Sequence, residues 1–256
     1  MAFAGGLRGE PFDVVGCETV DLEVPATAEY IIEGELCTEQ LPTGWHSNVA
    51  GYYDYFHTFP LLKVNCITHR KNPMWHATIE MVPPFDHNYI GMLPVEGEVL
   101  SDLQQKVPEV KDVVVTPSML YIVQLSVDAE AKPHPEFGKY IIHAVWGGAG
   151  RWGRTAKIIV VVGPDIDPYD LTSVEWAIMT RVQPYSDTIF NKTGLAFVDD
   201  PSAPINAAGI PVCSEQMGID ATMKVPERFE KYREVSDAEP EDVARIATLL
   251  RPILAE

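Results

Sequence analysis

The chain has 256 residues, 46% of them hydrophobic, with a formal net charge of −18 and a pI near 4.7. That length and apolar share bury one large core or two modest ones. The acidity argues against a nucleic-acid partner, which needs a basic face.

The opening residues, MAFAGGLRGEP, have no basic stretch followed by an apolar one, so no signal peptide is expected. The first third of the chain reads as β. Pro11–Glu18, Glu29–Leu36, Leu61–Thr68 and Met74–Val82 are β-branched or alternating runs separated by turn-rich pieces such as Pro42-Thr43-Gly44. The stretch from Leu41 to Arg70 crowds Trp45, His46, Asn48, Tyr52, Tyr53, Tyr55, Phe56 and His57 between two strands. Polar tips on an aromatic lining suit a pocket for a flat ligand, and they equally suit an aromatic loop covering a sheet.

After Met92 the pattern changes. Val95–Gln105 has helical spacing, with Val95, Val99 and Leu103 on one face. Val113–Val115 and Met119–Val127 read as strands, and Phe137, Tyr140, Ile141 and Ala144 fall at helical spacing. Ala156–Val162 is a continuous apolar run of the kind buried on both faces of a sheet. It also contains the longest membrane candidate, Ile158–Val162, which is far too short to span a bilayer. A helix is expected from Leu171-Thr172, then an extended, turn-rich arm from Pro201 to Pro226. A last helix starts at Pro240, with Val243, Ile246, Ala247 and Leu250 as a packing or interface stripe. The expected divisions are 1–93, 94–200 and 201–256.

Three local signals carry two readings each. Gly147-Gly148-Ala149-Gly150, with Arg151, Trp152 and Arg154, either holds an anion through free backbone N–H groups or is a loop. It lacks the Rossmann and Walker patterns. Asp165 and Asp167 either bind a metal or cap the following helix. His69 and His76, with no third ligand in view, read as structural. Cys17, Cys37, Cys66 and Cys213 form no CxxC pair, so reduced thiols and a cytoplasmic setting are expected.

The run AGYYDYFHTFPLLKVNCITHRKNP resembles the segment GYY…P…V..ITHRK..P of the UbiD-like decarboxylases. FAGGLRGEPFDVVGCETVDLEVPATAEYIIEGEL, VVVGPDIDPYDLTSVEWAIMTRVQPYSD and MGIDAT resemble further runs of that family. Together they cover most of this chain and the C-terminal half of an ordinary member. The resemblance implies an α+β fold, with part of a flavin-reductase-like split β-barrel followed by an α/β C-terminal domain. It implies reversible non-oxidative decarboxylation of a small aromatic or heteroaromatic acid with prenylated FMN, because a side chain cannot hold the electrons that CO2 leaves behind.

The family commonly reads EGPFGE before GYY, and its two glutamates flank the reacting carbon. Here the matching positions are Thr43 and Asn48, neither of which donates a proton as a carboxylic acid does. His46 is the nearest titratable group and is either the acid or a structural residue; water is the other route. The candidate catalytic positions are therefore His46, Asn48 and Thr43. The candidate substrate contacts are Tyr52, Met92, Leu93, Arg151 and Thr155, and no metal ligand is assigned to this chain. The family's flavin-phosphate ligands, with their divalent metal and K+, match no part of this sequence. A separate UbiD-like chain is expected to carry them and to hold most of the cofactor, in a higher-order oligomer. A non-catalytic structural subunit is the second reading, and a flavin-reductase-like binding protein the third.

Overall fold

The computed structural model describes residues 1–42, 44–54, 58–207, 211–224, 236, 238 and 240–254. A short helix α1 (Ala2–Arg8) precedes strands β1 (Val14–Gly16) and β2 (Glu23–Pro25), which pair antiparallel. Strands β3 (Tyr30–Pro42) and β6 (Thr58–His69) then form a long antiparallel arm. Between them, β4 (His46–Ser47) pairs with β5 (Tyr53–Asp54) in a small hairpin. The alternation read in the sequence explains β3 and β6, which extend beyond their expected bounds.

Glu33 pins the arm to the β1–β2 turn. Its carboxylate accepts from the Thr19 hydroxyl at 2.6 Å and from the amides of Glu18 and Thr19 at 2.9 and 2.6 Å. The Thr19 hydroxyl and the Glu18 amide hold the Glu33 carboxyl below its ordinary value. One face of the arm is apolar and open. Ile32 stands opposite Ile67 and Leu36 opposite Leu62, and all four are exposed.

The expected strand at Met74–Val82 does not form; most of the segment runs as unpaired coil. Met74, Trp75, Ile79, Met81 and Val82 stay largely exposed, with Trp75 edge-on to Tyr30 at 5.1 Å between ring centroids.

Helix α2 (Asp86–Gln104) begins well before the expected Val95 and runs through Pro94. Proline is expected to stop a helix because it lacks an N–H and crowds the preceding turn. Burial of Val95, Val99 and Leu103 on the sheet carries the helix past it. The position at which the sequence reading divides the chain, 93/94, thus falls inside α2.

The second part of the chain is a five-stranded sheet. Its strands are β7 (Val110–Val115), β8 (Tyr121–Leu125), β9 (Ile158–Val162), β10 (Thr188–Gly194) and β11 (Ser214–Asp220), in the order β10-β11-β9-β8-β7. The β8–β9 and β9–β11 pairs are parallel, while the edge strands β7 and β10 run antiparallel to their neighbours. Helix α3 (Phe137–Gly148) and the short α4 (Gly150–Gly153) connect β8 to β9, and α5 (Leu171–Arg181) follows β9.

Each central strand sends alternate residues to opposite faces. Val123, Leu125, Ile159 and Val161 pack with α2 and α3, whereas Ile122, Val160 and Val162 pack with Val174 and Ala177 of α5. This two-sided burial is what the unbroken apolar run of β9 requires.

The expected arm after Pro201 is corrected by β11, which lies inside the sheet between β10 and β9. Its sequence, SEQMGID, hides a buried strand because its inward residues are polar and satisfied. Gln216 donates to Arg154 O at 2.7 Å and accepts from Asn191 Nδ2 at 2.9 Å. The last helix, α6 (Pro240–Leu254), forms as expected, and its Val243, Ile246 and Leu250 stay exposed in this chain. No helix among the described residues is long and apolar enough to cross a membrane.

Candidate active site

A cavity of about 600 Å³ opens where the arm meets the sheet domain. One wall is the loop Val49, Ala50 and Tyr52 with Val82 and Pro83. A second is the start of α2, presenting His87, Gly91, Met92 and Val95. The β7–β8 turn from Ser118 to Tyr121 closes a third side. Trp152, Thr155, Lys157 and Ile158, with Phe197 and residues 199–201, complete it. Met92, Leu120, Trp152 and Phe197 give it broad apolar surfaces of the kind that accept a flat ring.

The arm's loop is held by two asparagines. Asn48 Oδ1 accepts from the amides of Ala50 at 3.2 Å and Tyr52 at 3.0 Å, so its side chain builds the turn. Asn88, fully buried in the first turn of α2, donates from Nδ2 to Val49 O at 3.5 Å. These contacts tie the loop to the helix and set that wall of the cavity.

At the opposite wall Lys157 Nζ reaches both oxygens of Asp200, at 2.9 and 3.0 Å, and Ser214 Oγ donates to Asp200 Oδ2 at 2.9 Å. Burial pushes the Asp200 carboxyl up, but Lys157, Ser202 and Ser214 together hold it below the ordinary carboxylate value. Lys157 is therefore held in an ion pair with Asp200. Burial, helped by the Glu98 charge, pushes the Tyr121 phenol well above its ordinary value, and its hydroxyl donates to Trp152 O at 3.3 Å. Met119, at the tip of the β7–β8 turn, has φ 63 in the left-handed region. Its amide donates to Thr116 O at 2.7 Å, which locks the turn.

Of the residues singled out from the sequence, Tyr52, Met92 and Thr155 come together on this cavity. Thr155 Oγ1 donates to Trp152 O at 3.0 Å. Leu93 follows Met92 on the helix and is exposed outside the lining, since successive helical residues point about 100° apart. His46 lies exposed on β4, with Nδ1 3.3 Å from Gly44 O, and is not part of the lining. Asn48 supports the wall from behind. Thr43, Tyr55, Phe56 and His57 lie outside the described residues.

The glycine-rich loop near Arg151 already holds an anion, and it belongs to this chain. Glu98 Oε1 accepts from Arg151 N at 2.9 Å, while the Arg151 guanidinium lies 5.1 Å from the Trp152 ring centroid. Asp165 pairs with the buried Arg181, at 2.5 and 3.1 Å. Asp170, not Asp165 or Asp167, caps α5, accepting from Thr172 N at 3.0 Å. Among the described residues no three metal-ligating side chains converge.

Sequence reasoning missed His87, Glu80, Asn88, Met119, Lys157 and Asp200. The first three were hidden by the start expected for α2 and by the strand expected before it. The others meet the cavity through contacts distant along the chain, for which spacing carries no signal.

Residues 1–83 match the 3-octaprenyl-4-hydroxybenzoate carboxy-lyase Rift-related domain, and residues 88–221 match the C-terminal domain of the same enzymes. An uncharacterized protein of Archaeoglobus fulgidus is 34% identical over 230 residues, which is 87% of this chain and 44% of that protein. The UbiD-class enzyme HmfF of Pelotomaculum thermopropionicum, solved in complex with FMN, is 30% identical. It superposes with a TM-score of 0.76 over 93% of this chain and 51% of its own. The vanillic acid decarboxylase of Sedimentibacter hydroxybenzoicus, in its open form with a truncated ShVdcD, is 26% identical. Its TM-score is 0.76 over 99% of this chain and 52% of its own. The chain thus spans about half the length of the relatives it matches. With both domains matched in order, and the cavity lying at their junction, the chain belongs to the UbiD family of carboxy-lyases.

Proposed function

We propose that this chain is one subunit of a split UbiD-type enzyme that decarboxylates, and in reverse carboxylates, a small aromatic or heteroaromatic acid with prenylated FMN. The observation that carries this reading is the cavity at the junction of the two matched domains, beside an arm whose apolar face is open. An exposed two-stranded arm with Ile32, Ile67, Leu36 and Leu62 facing outward is half of a β structure that another segment completes. A second UbiD-like chain supplies that segment, completes the split barrel and closes the pocket.

The residues present fit the ring portion of such a cofactor and its substrate. Met92, Leu120, Trp152 and Phe197 offer flat apolar walls, and the exposed Tyr52 also lines the cavity. The phosphate end, with its divalent metal and K+, is assigned to the partner chain. When bound, the flavin supplies the electron sink that no side chain offers. This chain's part is to exclude water, position the ring and handle a proton.

A non-catalytic role for this subunit remains the second reading, because Thr43 and Asn48 replace the carboxylic acids that the family places beside the reacting carbon, and Asn48 is engaged in turn contacts. The two readings separate on one experiment. The chain is co-expressed with a UbiD-like N-terminal chain and a source of prenylated flavin. The purified complex is then assayed for CO2 release from ring acids and for deuterium exchange into the ring products. Turnover or exchange is expected. A flavin-loaded complex that does neither supports the structural role.

A further inference from the structure

We propose that His87, held by Glu80, is the group that hands the proton to the substrate carbon in this cavity and removes it in the reverse direction. The inference rests on the decarboxylase reading above and names the residue that stands in for the missing carboxylic acid.

His87 Nδ1 lies 2.6 Å from Glu80 Oε1. A carboxylate at one ring nitrogen assigns the proton there and leaves Nε2 as the reactive nitrogen. His87 lines the cavity, as does Gly91 one helical turn further on. The Nε2–Cδ2 edge of the ring lies beside Gly91, where an added Cβ would stand 3.5 Å from Nε2 and 3.3 Å from Cδ2. The pair is braced: Asp86 Oδ1 accepts from Ile79 N at 3.1 Å and from His87 N at 2.8 Å, fixing the segment that carries Glu80 against the start of α2.

Three further polar groups at or behind the cavity walls are committed elsewhere. Lys157 is paired with Asp200, the Tyr121 phenol is held protonated by burial, and the Asn48 side-chain oxygen takes two amides. Imidazole is the side chain whose ordinary titration lies near neutrality, which suits proton transfer in both directions.

The step balances without a further reagent. Nε2 first takes a proton from solvent, giving the imidazolium. The bond from ring carbon to carboxylate breaks and CO2 leaves. The electron pair left behind then takes that proton, forming the new C–H bond and returning the neutral Nδ1–H ring. Carboxylation runs these events in reverse.

The test uses the complete two-chain complex. Deuterium exchange at the ring carbon of the product is measured for wild type, His87→Ala, His87→Gln, Glu80→Ala and His46→Ala, each checked for fold by circular dichroism. Both His87 variants are expected to lose about 10²–10⁴-fold in exchange, and added imidazole should restore part of the loss in His87→Ala. Nitrogen-15 histidine spectra give a readout independent of turnover: wild type should show the neutral ring protonated at Nδ1, and Glu80→Ala should shift it toward Nε2. If wild type exchanges, folded His87 variants match it and His46→Ala does not, the role belongs to His46 and this assignment is overturned. If every variant exchanges like wild type, water handles the proton and the assignment is equally overturned. A flavin-loaded wild-type complex that neither exchanges nor releases CO2 defeats the decarboxylase reading itself.

Discussion

Glu98 and Gly150 fit against each other so closely that a Cβ added at Gly150 would lie 2.5 Å from Glu98 Oε1. This contact seats α4 on α2 and fills with a carboxylate the backbone nest that the glycine-rich sequence advertises. Gly150 also has φ 64, a conformation that costs other residues about 1–2 kcal/mol. Gly150→Ala is therefore expected to lower unfolding free energy by at least that amount in urea titration. Repeating it in a Glu98→Ala background separates the two causes. If the cost disappears there, the close approach and not the backbone conformation was responsible.

The β1–β2 turn should loosen in acid. Hydrogen bonding from Thr19 and Glu18 lowers the Glu33 carboxyl below its ordinary value of 4.5. A group with a depressed folded value contributes stability that is complete above its unfolded value and is lost as pH falls through the folded one. Thermal midpoints should accordingly fall below pH 4.5, and Glu33→Gln should flatten that dependence. An identical acid profile in the variant would show that Glu33 is not the anchor.

Asn48 acts through the shape of the loop. Asn48→Ala removes the acceptor for two amides, each worth about 0.5–1.5 kcal/mol, and should raise KM in the assembled enzyme more than it lowers kcat. Asn48→Asp keeps the acceptor and should retain the wild-type KM. If Asn48→Ala left KM unchanged, the loop would not depend on this side chain.

Met119 holds a left-handed conformation at the cavity wall. Met119→Gly should raise stability by up to about 1 kcal/mol, because glycine adopts that backbone without the Cβ penalty. It also removes a side chain from the wall, so selectivity among ring acids should broaden. A less stable variant with unchanged selectivity would argue against both effects.

The open face of the arm should decide assembly. Leu36→Glu with Ile67→Glu places charge on two exposed apolar positions of the β3–β6 arm. Affinity for the partner chain is expected to weaken at least about tenfold, with the spectrum of the sheet domain retained. Undiminished binding would mean that the partner docks elsewhere.

The sequence by itself determined the elements whose residues share one environment. β9 was legible because every residue from Ile159 to Val162 is buried, so hydrophobicity alone marks it. β3 and β6 were legible from alternation, and the family from runs such as ITHRK and MGIDAT. Tertiary structure alone decided the elements whose residues answer to distant partners. β11 is a central strand whose buried Ser214 and Gln216 are satisfied by partners distant in the chain, and α2 crosses Pro94 because the sheet holds its far half. The site followed the same division. Tyr52, Met92 and Thr155 were found by type and motif. His46 and Leu93, their neighbours in sequence, stand outside the lining, because direction is set by strand pairing and helical phase. Glu80 and His87 meet only because the segment expected as a strand turns back onto the start of α2, a contact that no spacing rule encodes.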